Sequence, residues 1–345
     1  MRTSWRSGLG ALGLAGSLGI GASPAYAQST EPFYKGRTIS LISGFTPGGS
    51  YDFYSRLVMR HMGKHLTGQP TIVLQSMPGA GGLNAANYLY RIAPKDGTAI
   101  GMLSQTAAVD EALGAPGVQY KSAEFNWIGR VASTIEISLT WHTSKGRTVE
   151  DLRSQAIVYG TSGPGSALDS YPRVLAFASG LNIKLVTGYK GSTEALLAME
   201  RGEVDGSGTS WNTLKINRRA WLDEKKVNIL VQYARSRSPE LPNVPAAVEL
   251  GRSEEDKSLL DFYMSGADVG RAIMTTPGVP RDRIEELRKA FDAAMKDPEL
   301  KSDIDKAGAE FAPMSGSDLQ RHIEQTLAVK PELITRVRAA LQGQR

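Results

Sequence analysis

The sequence predicts an α/β protein of two lobes, with mainly parallel sheets and a helical C-terminal segment. Three observations predict it. Apolar runs of strand length alternate with helical periodicities along most of the 345 residues. Glycine-rich turns stand where those strands end and helices begin. The strand–helix order runs once through the first third of the chain and then recurs, which implies parallel pairing with helices on both sheet faces.

Residues 1–27 read as a secretory signal peptide. Arg2 and Arg6 supply a positive start, 8–21 is an uncharged Gly/Ala/Leu stretch, and Ala25-Tyr26-Ala27 is a small-x-small cleavage site. The alternative is an N-terminal anchor, but the stretch is Gly-rich and short for a span. Next come a strand at 38–44 (TISLISG) and a helix at 51–66, with Phe53, Leu57, Val58 and Met62 at helical spacing. A strand at 71–74, a helix at 83–92 and a strand at 99–103 complete a βαβαβ unit. The second unit has strands at 137–141 and 157–160 around a short helix capped by Thr148. It continues with a strand at 183–186, a helix at 192–201 and a strand at 229–233. A Pro-rich connector, 236–245, precedes helices at 281–295, 298–307 and 317–328. The expected organisation is 1–27 as signal peptide, 28–133 plus 254–345 as the first lobe, and 134–253 as the second.

Composition removes several classes of function. There are no cysteines, so disulfide scaffolds, Cys-bound zinc, iron–sulfur clusters, a thiol nucleophile and a Cys-anchored lipid are excluded. A formal charge of +5 over this length is too dilute for a nucleic-acid surface. No stretch after the leader is long and apolar enough to span a membrane. An exported, periplasmic, monomeric product without cofactor or metal is expected.

Four loops have the chemistry of anion cradles. They are Phe45-Thr46-Pro47-Gly48-Gly49-Ser50-Tyr51-Asp52, Ser76-Met77-Pro78-Gly79-Ala80-Gly81-Gly82, Thr161-Ser162-Gly163-Pro164-Gly165-Ser166 and Tyr189-Lys190-Gly191-Ser192-Thr193. Each would open a helix, whose free N–H groups and dipole favour an anion. Glycine lets the backbone come close, and the hydroxyls add donors. One helix end contributes only about 0.3–1 kcal/mol, so several must converge for micromolar binding. Ordinary βα turns have the same composition; with four loops in alternating order, two or three are expected at a ligand. No enzyme motif is present. Position 84 is Asn, so the second loop is not G-x-G-x-x-G; no Gly-Lys-Ser/Thr closes a P-loop, and no G-x-S-x-G elbow occurs.

Other constellations leave alternatives open. His61 and His65 have two-His metal spacing, but position 62 is Met, so two surface histidines beside Lys64 are expected. Asp52 either orients the ligand loop or complements the helix dipole. Lys190 pairs with a carboxylate or is a solvated turn residue. Tyr51, Tyr189 and Trp211 are candidates for stacking on a ligand ring, with core or rim packing the role of at least one.

With these loops the chain resembles the periplasmic solute-binding proteins of tripartite tricarboxylate transporters, the Bug-type receptors. Further markers are Ala93-Pro94-Lys95-Asp96-Gly97, Gly202-Glu203-Val204-Asp205 and Arg237-Ser238-Pro239 through Pro245, and the similarity spans 33–328. The resemblance implies a two-lobed Venus-flytrap fold of type II. It also implies a carboxylate held by loops of both lobes, often through waters, and delivery to inner-membrane transporter subunits without chemistry. The ligand positions expected on this basis are Phe45, Thr46, Gly48, Gly49, Ser50 and Asp52; Pro78, Gly79, Ala80 and Gly81; Thr161, Ser162, Gly163, Gly165 and Ser166; and Thr209, Ser210 and Trp211. Departures are Ser76-Met77 for the family's polar and basic pair, and Thr209 for its second Asp. They favour a more apolar or aromatic acid. Pro172 places the start of the helix after the third loop near Ser170.

Two other functions share parts of this pattern. A sensor that docks to a kinase would have the same fold and ligand. An exported hydrolase would need a nucleophile with a base in reach, and four histidines without an elbow support it thinly.

Overall fold

The computed structural model describes residues 31–163 and 166–343; the leader, Pro164 and Gly165 lie outside these. Eleven strands, β1–β11, are assigned among the described residues. In chain order they are Thr38–Ser43, Thr71–Ser76, Ala99–Met102, Asn126–Arg130, Glu136–Trp141, Ile157–Thr161, Ile183–Thr187, Gly206–Ser210, Val227–Tyr233, Ala272–Thr275 and Met314–Ser315. They form two sheets, ordered β11-β4-β10-β3-β1-β2 and β7-β6-β8-β5-β9.

Each sheet is mixed. β1 pairs in parallel with β2 and β3, and β6 with β7 and β8. The expectation of mainly parallel sheets holds for these pairs only. β10 is antiparallel to β3 and β4, and β5 is antiparallel to β8 and β9. The reason is the chain path. β5 and β10 are the first strands after the chain crosses between the sheets, so each enters its sheet from the side where its neighbours end. The crossing segments lie side by side: Arg271 N donates to Ala132 O at 2.8 Å, Val131 N to Arg271 O at 3.0 Å and Thr134 N to Ala267 O at 3.2 Å.

Helices cover both faces of each sheet. They are α1 Ser50–His61, α2 Leu83–Arg91, α3 Ala107–Ala112, α4 Val149–Ser154, α5 Ala167–Ser179, α6 Ser192–Glu200, α7 Trp211–Asn217, α8 Arg219–Asp223, α9 Glu254–Val269, α10 Arg281–Met295, α11 Pro298–Ala307, α12 Gly316–Leu327 and α13 Pro331–Leu341. In α1 the buried positions Tyr54, Leu57, Val58 and His61 repeat at three and four residues and form one stripe against the first sheet. The helix stops at His61 rather than Leu66, and a single tight turn, Gly63–His65, follows. Glycine is a poor helix former, and a Cβ at Gly63 would sit 2.8 Å from the Pro70 carbonyl oxygen. α4 carries the expected cap: Asp151 N donates to Thr148 Oγ1 at 3.2 Å, and Thr148 N donates to Asp151 Oδ2 at 2.9 Å.

α5 begins at Ala167, not near Ser170, and contains Pro172. The proline stands in the second turn, where its missing N–H leaves only the Leu168 carbonyl without its helical donor. Both residues border the cleft described below. One apolar cluster joins α3, α9 and α13 to α5 through Val109, Leu113, Tyr171, Leu175, Leu260 and Val337. No helix of the described residues is long and apolar enough to cross a membrane.

Candidate ligand-binding cleft

The carboxyl ends of β1 and β2 in one sheet, and of β6, β7 and β8 in the other, open on one cavity of about 580 Å³. Carboxyl ends of parallel strands are where α/β folds receive ligands. Each of the four glycine-rich loops contributes to its wall.

The first loop supplies Phe45, Thr46, Gly49 and Ser50. Phe45 stacks on Tyr51, with ring centroids 3.8 Å apart. Gly48 and Asp52 do not line the cavity. Asp52 Oδ2 accepts from Gly48 N at 3.2 Å and from Arg56 Nε at 3.0 Å, so it shapes the turn. Asn217 Nδ2 donates to Gly48 O at 2.8 Å, and Ser210 Oγ donates to Ser50 Oγ at 3.3 Å. These two bonds tie the loop of the first sheet to the β8–α7 corner of the second.

The second loop supplies Pro78, Gly79, Ala80 and Gly81. Residues Gly79, Ala80, Gly81 and Gly82 have φ of +136°, +46°, +66° and +99°. Only glycine reaches such values without strain, so Ala80 is held in a costly conformation. The loop lies against the first one: a Cβ on Gly44 would be 2.9 Å from Gly82 Cα.

The third loop supplies Ser162 and Ser166, whose hydroxyls bond each other at 2.7 Å. Gly165 lies outside the described residues. Gly163 does not line the cavity. Thr161 is fully buried and donates to Asp169 Oδ1 at 3.0 Å, the carboxylate that also accepts two bonds from Arg173. The fourth loop brings Tyr189, Lys190, Gly191, Ser192 and Thr193 to the wall.

From β8 come Thr209 and Ser210. The Thr209 hydroxyl is buried and has no hydrogen-bond partner among the described residues. Trp211 does not line the cavity. Its indole packs in the core beside Leu214 and Trp221, and Nε1 donates to Glu240 at 2.6 Å. A buried indole N–H takes a partner, and Glu240 of the Pro-rich connector is in reach.

The cleft wall also holds a pair that loop chemistry does not reveal. Arg271, 1% exposed, stands at the start of β10 and lines the cavity. Its Nε and Nη2 donate to Ser50 Oγ at 3.1 and 2.6 Å, and Nη1 donates to Gln105 Oε1 at 2.9 Å. The guanidinium lies 3.8 Å from the Tyr51 ring centroid. Glu136, at the start of β5, places Oε1 3.6 Å from Arg271 Nη2. Burial pushes the Glu136 carboxyl above its ordinary range, and Arg271 opposes that shift. The only signal for Arg271 in the sequence is one cation inside an apolar run, VGRAIM.

The histidines lie elsewhere. His61 is not a surface residue: it is 3% exposed, and its Nε2 is 3.0 Å from Asp303 Oδ2. His65 Nε2 is 3.1 Å from Asp297 Oδ2. His61, Asp297 and Glu299 bring ligand-type atoms within 4.8 Å of one another. The Lys64 ammonium is 2.6 Å from both Asp297 and Glu299, so a protein cation already neutralises these acids.

Residues 54–338 match the model of the tripartite tricarboxylate transporter family receptor, TctC. The chain belongs to this family. Three solved structures are similar to this member of it. The periplasmic binding protein BugD has a TM-score of 0.70 at 21% identity, over 89% of this chain and 98% of that one. An R. palustris protein, Rpa4515 with adipate, gives 0.68 at 21%, over 88% and 97%. MatC from Rhodopseudomonas palustris with bound malate gives 0.67 at 22%, over 87% and 99%. The two-lobed α/β fold of the TctC receptors is thus the fold of this chain.

Proposed function

We propose that this chain is an exported receptor that captures a small organic acid by its carboxylate and passes it to the membrane subunits of a tripartite tricarboxylate-type transporter. No bond of the ligand is made or broken. The observation that carries this reading is Arg271. A guanidinium at 1% exposure lines a cavity where four amide-rich loops converge, and the carboxylate that faces it among the described residues, Glu136, stands off at 3.6 Å, so a closer anion is favoured there. Three of its five N–H groups are engaged by neutral oxygens; one on each terminal nitrogen has no hydrogen bond among the described residues, with Glu136 3.6 Å from Nη2. Malate and adipate in two similar structures are carboxylates, in keeping with it.

In this reading the leader is removed after Ala27, and the protein works as a monomer in the periplasm. Residues 28–133 with 254–345 form one body and 134–253 the other. The acid draws them together only as far as it binds the closed form better. The bonds from Ser210 to Ser50 and from Asn217 to Gly48 belong to that closed form.

The test is calorimetry and thermal shift with mono-, di- and tricarboxylates, on the wild type and Arg271→Ala. At least one acid raises the wild-type melting temperature. Loss of a charged hydrogen-bond donor, about 1.5–3 kcal/mol, weakens that acid roughly 10- to 100-fold. If no acid shifts the melt, and native mass spectrometry of fresh protein finds none bound, the reading is wrong.

A further inference from the structure

We infer that Glu136 makes this receptor selective for acids bearing a hydrogen-bond donor, a hydroxyl or an ammonium, beside the carboxylate. The inference rests on the receptor reading above and names the ligand class of that site.

Two oppositely charged groups with hydrogen-bonding capacity to spare stand next to each other on the cavity wall as a loose ion pair. Arg271 has N–H groups left over after Ser50 and Gln105 are served. Glu136 has no donor at hydrogen-bond distance among the described residues, since its approach to Arg271 Nη2, at 3.6 Å, is too long for one. Its neighbours do not supply the missing proton. Register places Glu136 between Ser210 on β8 and Tyr233 on β9. The single Ser210 hydroxyl proton is within reach of Ser50 and Thr213, and the buried Tyr233 hydroxyl makes no hydrogen bond to Glu136.

A guest carboxylate seated on Arg271 therefore lands beside a second carboxylate. For a plain acid this is like-charge repulsion, and Glu136 keeps only its long approach to Arg271 with no hydrogen-bond donor. An acid with a hydroxyl or ammonium on the carbon next to its carboxylate answers both groups at once. The carboxylate takes the free guanidinium N–H groups, and the donor meets Glu136. A site with a buried acceptor discriminates strongly against analogues that lack the donor. Arg271 cannot swing away to relieve the clash, because Ser50, Gln105 and the Tyr51 ring hold it on three sides.

The test uses pairs that differ only in the donor: malate and aspartate against succinate, lactate against propionate, and mandelate against phenylacetate. Titration calorimetry is run on the full chain and on Glu136→Gln, with thermal melts to establish folding. In the wild type the donor-bearing member binds at least 10-fold tighter. In Glu136→Gln the ratio falls to within about 3-fold, mainly because the plain acid gains affinity. Glu136→Asp keeps the charge but withdraws it, and weakens the donor-bearing acid more than the plain one. Equal affinities in the wild type overturn the inference and leave the receptor reading intact. So does a ratio that persists in Glu136→Gln. A panel in which no acid binds overturns the receptor reading, and the inference falls with it.

Discussion

The Oγ of Ser50 accepts from two nitrogens of Arg271 at once, Nε at 3.1 Å and Nη2 at 2.6 Å. One small hydroxyl at the start of α1 thus fixes the orientation of a cation 221 residues away. Because Ser210 also donates to that oxygen, the same atom joins β8 of the second sheet to the group expected to anchor the ligand.

Removing that oxygen should loosen the anchor without removing it. Ser50→Ala is expected to weaken acid binding about 10-fold, with a stability loss of about 1 kcal/mol for the lost hydrogen bonds. Arg271→Lys keeps the charge but not the fork, and is expected to resemble Arg271→Ala in affinity. Calorimetry on the three variants separates geometry from charge. Full affinity in Arg271→Lys would show that a point charge suffices.

Gly270 precedes the arginine with φ of +55°, and a methyl group there would overlap the Ala132 carbonyl oxygen of the neighbouring crossing segment. Gly270→Ala is therefore expected to destabilise the protein by on the order of 2 kcal/mol or more. Urea denaturation measures it. Ligand affinity should fall as well, because the strain lies one residue from Arg271.

Asp110 predicts a pH effect. It borders a second cavity of about 490 Å³, with Asp169, Arg173, Tyr120, Tyr263 and Arg338 also on the wall. Burial pushes its carboxyl up to about 7, against the single hydrogen bond from Thr106. A folded-state value above the unfolded one means that the native protein holds the proton more tightly. Its contribution to stability is then full below about pH 4 and is lost as pH rises through about 7. Asp110→Asn stays neutral throughout. Its melting temperature, relative to wild type, should be higher at pH 8 than at pH 5; a pH-independent difference would contradict the burial argument.

Thr148 offers a control remote from the cleft. Thr148→Ala removes the hydroxyl that caps α4 and is expected to cost about 1 kcal/mol in denaturant titration. Acid affinity should not change.

Much of the fold was legible because apolar spacing is local. The parallel strands β1, β2, β3, β6 and β7 and helices α2, α6, α10 and α11 stand within a residue or two of where the sequence places them. β8 was not legible. Its sequence, GSGTS, has no apolar residue, yet it lies in the middle of the second sheet. The reason is tertiary: a Cβ at Gly206 would collide with the Tyr159 ring, so the strand must be bare to fit. The cradle loops were legible from composition, and they share one cavity. Arg271 and Glu136 were not, since their partners, Ser50 and each other, are brought together only by the two crossings. The core packing of Trp211, left open between ligand stacking and core, is not legible either, because the Glu240 that takes its N–H sits in a connector with no periodic signal.

The crossing segments carry one last consequence. They are laced to each other by the Arg271–Ala132, Val131–Arg271 and Thr134–Ala267 bonds, so the halves are joined by a two-ply ribbon and not by separate threads. A ribbon bends readily across its flat side and resists twist and in-plane shear. If the halves move against each other as a receptor reading requires, this lacing favours a bend over a twist, and Arg271 and Glu136, one on each ply, would stand beside that bend.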